Sequence, residues 1–213
     1  MRWVNWLFLS SFCVFLSTIS CKRGVASFTL SGIITDDSFQ QGLVGAEVKL
    51  YKVPIGTSTK ILIDSLILGI DGKYEFNFPR DKSEKFILTA SKNNYFEITD
   101  DIPFSSLTPS TNNTRNYNTK AMSWVEMRFV NSSILPNETF RFMKTSENSN
   151  CEECCPGGLI DLVEQSYYSR TCVNNANSLF SLDYWIINGN SSQYGHKEVT
   201  PAPFDTSLIL VNY

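Results

Sequence analysis

Cys151, Cys154, Cys155 and Cys172 are the densest group of reactive side chains in the sequence. Three of them stand in "CEECCPGG", and the fourth follows 17 positions after Cys155. Thiols at this spacing suit one of two chemistries. As thiolates they would hold a tetrahedral zinc ion; in an oxidising compartment they would pair as disulfides. Glu152 and Glu153 sit among them, and acidic neighbours disfavour the thiolate that a nucleophilic cysteine needs. A bond between Cys154 and Cys155 would strain the peptide that joins them. Two pairings then remain: Cys151 with Cys154 and Cys155 with Cys172, or Cys151 with Cys155 and Cys154 with Cys172. Either would brace one long loop, a candidate contact surface.

Elsewhere the chemistry-bearing residues are sparse. The single histidine, His196, lies beside Gly195 in a polar stretch that reads as a surface turn. No G-x-S-x-G elbow accompanies it, and no phosphate loop, HExxH or GxGxxG occurs. The acidic pairs Asp36-Asp37, Asp100-Asp101 and Glu152-Glu153 are adjacent in sequence, which turns their side chains apart in a strand and solvates them in a loop. The oxygen-ligand repeat of a calcium loop is missing at Asp71-Gly72. Trp124 and Trp185 could stack sugars, but each falls in an alternating pattern and is expected in a core or half-buried position. The expectation is a protein with no catalytic residue, no metal and no cofactor.

The cysteine question turns on the compartment, and the N-terminus bears on it. Arg2 precedes an apolar span from Trp3 to Ile19, and short residues follow up to Cys21. This is the layout of a secretory signal peptide. The "TISC" ending resembles the bacterial lipoprotein signal, with Thr18 where that family usually has Leu. The resemblance implies that residues 1–20 are removed and that Cys21 carries a diacylglyceryl group through its sulfur. A second cleavage reading uses the small residues "GVA" at 24–26 and discards Cys21. On the lipoprotein reading the chain meets a membrane through its N-terminal lipid and works in the cell envelope, so the four later cysteines are expected as disulfides. The mature chain would lose only Arg2 among its charges, leaving 17 basic against 21 acidic residues. That balance, without any Lys/Arg cluster, argues against a nucleic-acid partner.

The elements that would position these residues are strands. Aromatics reach 13%, and Ser, Thr, Asn and β-branched residues outnumber helix formers. From Phe28 onward short alternating runs are separated by turn signals: "SFTLSGIITDD", "GLVGAEVKLYKV", "KILIDSLIL", "GIDGKYEFNF" and "EKFILTASKNNYFEIT". Ala46, Val48 and Leu50 share one face, as do Tyr74, Phe76 and Phe78. Asp71-Gly72 and Asn188-Gly189 read as hairpin turns. Residues 28–104 resemble the carboxypeptidase regulatory-like and transthyretin-like β-sandwich modules, through Gly32, Gly42, Gly45-Ala46, Asp71-Gly72 with Tyr74 and Phe76, and Tyr95. That resemblance implies a spacer, stabiliser or binding domain. The Asn/Ser/Thr-rich stretch 105–121 reads as a linker.

A second alternating region, 122–213, puts Val125, Met127 and Phe129 on one face. Its tail, "NGNSSQYGHKEVTPAPFDTSLILVNY", resembles the end of sandwich domains in Bacteroidetes-type surface lipoproteins. The expected fold is therefore all-β: a signal peptide (1–20), a short tether (21–27) and two transthyretin-like or Ig-like sandwiches. The expected role is a non-catalytic, lipid-anchored binding or assembly module of the cell envelope. The rival role is a carbohydrate-binding accessory protein of a glycan-uptake system.

Overall fold

The computed structural model describes residues 26–146, 154, 155 and 157–213. The expected signal peptide, Cys21 and Cys151 lie outside the described residues. Sixteen strands and no α-helix are found among those described.

The first sandwich packs two sheets. In one, β1 (Ser27–Asp36) pairs antiparallel with β5 (Lys73–Pro79) and, at its far end, with the short β2 (Gln41–Gly42). The other runs β4 (Ile61–Ile67), β3 (Glu47–Val53), β6 (Lys85–Ser91) and β7 (Ile98–Pro103), all antiparallel. β1, β3 and β5 bury alternate residues over most of their length, because successive side chains face opposite sides of a sheet. Phe28, Leu30 and Ile34 of β1, Val48 and Leu50 of β3, and Tyr74, Phe76 and Phe78 of β5 are all buried in one core.

Asp71-Gly72 does not close a hairpin. β4 and β5 lie in different sheets, so this turn carries the chain across the sandwich. Gly72 adopts φ +67°, and a Cβ there would lie 2.3 Å from the carbonyl oxygen of Ile34 and 2.9 Å from Gly42 Cα. The Gly72 carbonyl in turn accepts the Ile34 N–H at 2.9 Å. Positive φ and contact with backbone both select glycine. Gly72→Ala is expected to destabilise the protein by about 1–3 kcal/mol, the usual cost of such strain. Denaturant unfolding measures it, and an unchanged midpoint would show that the turn yields freely.

The stretch 105–121 is not a linker. After a 3-10 turn at Phe104–Ser106 it forms β8 (Asn112–Thr114) and β9 (Tyr117–Thr119), which pair parallel with β1. The register sets Thr29 against Asn112 and Ile34 against Tyr117. Polar side chains make this possible. Asn113 Nδ2 donates to the Thr29 carbonyl at 3.0 Å, and Asn116 Oδ1 accepts the Ile33 N–H at 3.0 Å where the two strands are interrupted. The break passes over Gly32, where a Cβ would lie 1.7 Å from the Arg115 carbonyl oxygen. The Asn/Thr composition that reads as a linker is that of an edge strand whose outer side faces water.

The second sandwich has its own core. One sheet runs β13 (Tyr167–Asn175), β10 (Met122–Val130) and β16 (Thr206–Asn212), the last pair parallel. The other runs β12 (Ile160–Val163), β11 (Thr139–Lys144), β14 (Phe180–Asn188) and β15 (Ser191–Val199). Val125, Met127 and Phe129 face Phe140, Phe142, Phe180 and Leu182 across it.

The two sandwiches meet without a free connection. Tyr95 bridges to Ala121, Met122 N–H donates to the Asn94 carbonyl at 2.7 Å, and Ala176 from the second sandwich is buried in the first core. Phe204 stacks on Phe39 at 5.9 Å and meets the edge of Tyr95 at 5.6 Å. Asn177 Nδ2 reaches the Ser38 carbonyl at 3.3 Å.

Candidate functional site

The cysteine-bearing loop is fastened to the second core. Cys155 and Cys172 form a disulfide with 5.3 Å between their Cα atoms, and both are buried. Cys172 lies on the inward face of β13, opposite Val125 of β10. Cys154 is disulfide-bonded as well. Lys144, at the end of β11, is also buried and donates to the Cys154 carbonyl at 2.7 Å while lying 5.3 Å over the Phe180 ring. Burial lowers its ammonium pKa. A charge sunk at the loop's base, carrying a hydrogen bond to the loop backbone, adds a second fastening beside the disulfide. Of the two pairings the sequence allows, only one contains Cys155–Cys172.

The larger cluster of polar and aromatic groups stands on the outer face of the β12–β11–β14–β15 sheet. The register sets Arg141 beside Trp185, Trp185 beside Tyr194, and Asp183 beside His196. The alternation that buries Phe180 and Leu182 turns Asp183, Trp185 and Ile187 outward. Trp185 and Tyr194 pack with ring centroids 5.7 Å apart and planes tilted by 52°. Beside them a shallow groove of about 330 Å³ is lined by Arg141, Met143, Leu159, Trp185, Ile187 and Ser192. Arg141 is gripped by both oxygens of Asp161, at 2.6 and 2.8 Å.

His196 therefore stands on a strand, not in the polar turn expected from sequence, and is exposed. Its Nδ1 is 2.6 Å from Asp183 Oδ1, which also accepts the Tyr194 hydroxyl at 2.8 Å; Glu198 lies 3.5 Å from Nε2. The hydrogen bond to Asp183 raises the imidazole pKa above the ordinary 6.5, with Glu198 adding to it. Asp183 is held low, chiefly by the His196 hydrogen bond and then by Tyr194. A group raised on folding stabilises the fold fully below its unfolded pKa, and that contribution fades as pH rises through the folded value. Being exposed, the pair contributes little to stability. An NMR titration is expected to place the imidazole midpoint above 6.5, and Asp183→Asn to bring it down. A midpoint unmoved by that substitution would dissolve the pair.

Trp124 is half-buried on the outward face of β10, in the opposite sheet from Trp185. The two tryptophans therefore share no platform, and Trp185 takes Tyr194 as its neighbour instead. Two carboxylates expected in solvent are engaged in the fold. Asp36 is buried and accepts the Tyr95 hydroxyl at 2.6 Å. Asp100 accepts the Tyr117 hydroxyl at 2.7 Å and Arg115 at 3.1 Å. Burial, followed by these carboxylates, raises the pKa of both phenols. Their partners lie 15 to 59 positions away in sequence, so sequence adjacency carries no signal for them.

No family model and no curated protein matches this sequence. Among solved structures the chain is similar to the Bacillus anthracis TIE protein, at 13% identity and a TM-score of 0.35, over 87% of this chain and 34% of that one. It is similar to a streptococcal ancillary pilin at 11% identity and a TM-score of 0.37, over 87% and 62%. A shaft pilin from Lactobacillus rhamnosus GG aligns at 8% identity and a TM-score of 0.34, over 89% and 98%. The chain thus spans about a third of the first and under two thirds of the second. Likenesses this distant carry no function, which must be argued from the residues of this chain.

Proposed function

We propose that this chain is an exported, lipid-anchored, non-catalytic module of the cell envelope that holds a protein partner on the outer face of its second sandwich. Export and anchoring rest on the "TISC" ending of the apolar N-terminal span. The Cys155–Cys172 disulfide supports export, because such bonds persist in oxidising compartments.

The observation that carries the binding role is the apolar floor around Trp185 with its charged rim. Met143, Ile187, Leu159 and the two rings form the floor; Arg141–Asp161 and Asp183–His196–Glu198 form the rim. An apolar centre within a polar rim is the anatomy of a protein interface, and Trp, Tyr and Arg are its usual anchors. The tilt of Tyr194 against Trp185 leaves no flat double ring on which a sugar would lie. Arg141 is neutralised by Asp161, so the rim's remaining charge is acidic whenever His196 is neutral. The partner that fits presents an apolar anchor flanked by a basic residue.

A photo-crosslinking amino acid at position 194, in living cells, tests this reading. It is expected to give one discrete adduct with a different protein, and the same probe at the exposed Lys73 of the first sandwich is expected to give none. Adducts of equal yield at both positions, or an adduct only of twice the chain's own mass, would refute the partner assignment.

A further inference from the structure

A second site lies where the two sandwiches join, and it differs in chemistry from the aromatic face. A cleft of about 400 Å³ is lined by Lys120, Thr145, Ser146, Asn175, Ser178 and Ser181, with Leu179 at its edge. A second cleft of about 280 Å³ shares Lys120 and Asn175 and continues to Asp37, Phe96, Asn118 and Thr119. The two adjoin across the shared pair, so one groove crosses the joint. Its combined size falls in the range of about 300–1,000 Å³ usual for small-molecule sites, which favour domain junctions.

Hydroxyl and amide side chains make up most of the lining. Part of it is spent internally: Lys120 Nζ donates to Ser178 Oγ at 3.2 Å, and the Thr145 and Ser181 hydroxyls share a hydrogen bond of 2.9 Å. At the other end Asn118 Nδ2 donates to Asp37 Oδ2, and Thr119 Oγ1 donates to the Phe96 carbonyl at 2.9 Å. Ser146 Oγ is buried in the wall with no partner. Among the described residues the Asn175 amide makes no hydrogen bond of its own. Buried polar groups are nearly always satisfied, and such exceptions mark a place for water or a ligand.

The chemistry selects among ligands. An anion would meet one cation, Lys120, offset by Asp37. An apolar ligand would strip water from hydroxyls and amides and return no hydrogen bonds, which is costly. A neutral, polyhydroxylated ligand matches, because Ser, Thr and Asn offer donors and acceptors in the mixed order that sugar hydroxyls also present. Half-buried Phe96 is the aromatic residue at one end of the groove. We propose that the groove across the joint binds a neutral oligosaccharide, with Asn175 and Lys120 as its central contacts and Phe96 as its stacking end. This deepens the binding-module reading by naming a ligand class, and it uses residues that the partner face does not touch.

The test uses the whole mature chain on an array of neutral oligosaccharides (glucan, mannan, xylan and galactan series) and acidic ones (polygalacturonan and sulfated series). Titration calorimetry follows with the best-bound neutral tetrasaccharide. The expected result is binding to at least one neutral series, weakened tenfold or more by Asn175→Ala and by Lys120→Ala. Trp185→Ala is expected to leave the affinity within twofold. Should Asn175→Ala lower the melting temperature, Thr145→Val carries the same expectation. Binding to acidic series alone, binding to nothing on the array, or neutral binding lost in Trp185→Ala and kept in the groove variants would each overturn the proposal. The crosslink at position 194 is independent of these outcomes, so a failed groove leaves the partner face standing, and the reverse.

Discussion

The double substitution Cys155→Ala/Cys172→Ala is expected to lower the stability of the second sandwich by about 3 kcal/mol or more. Closing a loop of roughly this length removes about 3 kcal/mol of chain entropy from the unfolded state. The native state loses as well, since both sulfurs are buried beside Val125 and Phe180 in the second core. Domains of this size carry only about 5–15 kcal/mol in total, so the variant should melt many degrees lower. A reducing agent should reproduce the effect in the unmodified protein and change the double variant far less, since only the bond to Cys154 is left there to reduce. Peptide mapping without reduction is expected to join Cys155 to Cys172 and Cys151 to Cys154, the one remaining pairing that accommodates the observed bond. Four free thiols, or a zinc ion released on denaturation, would reverse the reading of the whole cysteine group.

A fragment ending at residue 104 is expected not to fold, whereas one ending at residue 120 melts cooperatively. The difference is β8 and β9. Without residues 105–120 the first core loses buried Leu107, at about 1.5–3 kcal/mol for such a side chain, and the partly buried ring of Tyr117. Tyr74 loses the Arg115 carbonyl that its hydroxyl donates to at 2.7 Å, and Asp100 loses both Arg115 and Tyr117. The open edge of β1 would then present unpaired backbone to other chains, an invitation to aggregate. Equal, cooperative melting of both fragments, followed by circular dichroism, would show that 105–120 merely rests on the sandwich.

The strands were legible because burial alternates with residue parity. Val125, Met127 and Phe129 announce one face of β10, as Tyr74, Phe76 and Phe78 announce one face of β5, whatever their partners. Parity says nothing about which strand pairs with which. Asp71-Gly72 has the residues of a hairpin, yet its glycine is selected by the carbonyl of Ile34, which is remote in sequence. The same limit hid β8 and β9, whose polar side chains cap a neighbouring backbone and bury little of their own. At the candidate sites, the Trp185–Tyr194–His196 face was readable only as scattered residues. It becomes a surface once the register of β14 against β15 sets them side by side. The groove at the joint had no sequence signal, because its lining comes from strand ends of both sandwiches and serine, threonine and asparagine are common everywhere in this chain.

The proposed anchoring would hold the protein at a membrane, outside the reducing interior, through Cys21 as its first mature residue. Mass spectrometry of the N-terminal peptide of the native protein, purified from the membrane fraction, tests this most directly. The expected peptide begins at Cys21 and carries a diacylglyceryl group on sulfur, and the Cys21→Ser protein is expected to leave the membrane fraction. A mature chain that begins at Ser27, or a Cys21 that is retained without lipid, would contradict it.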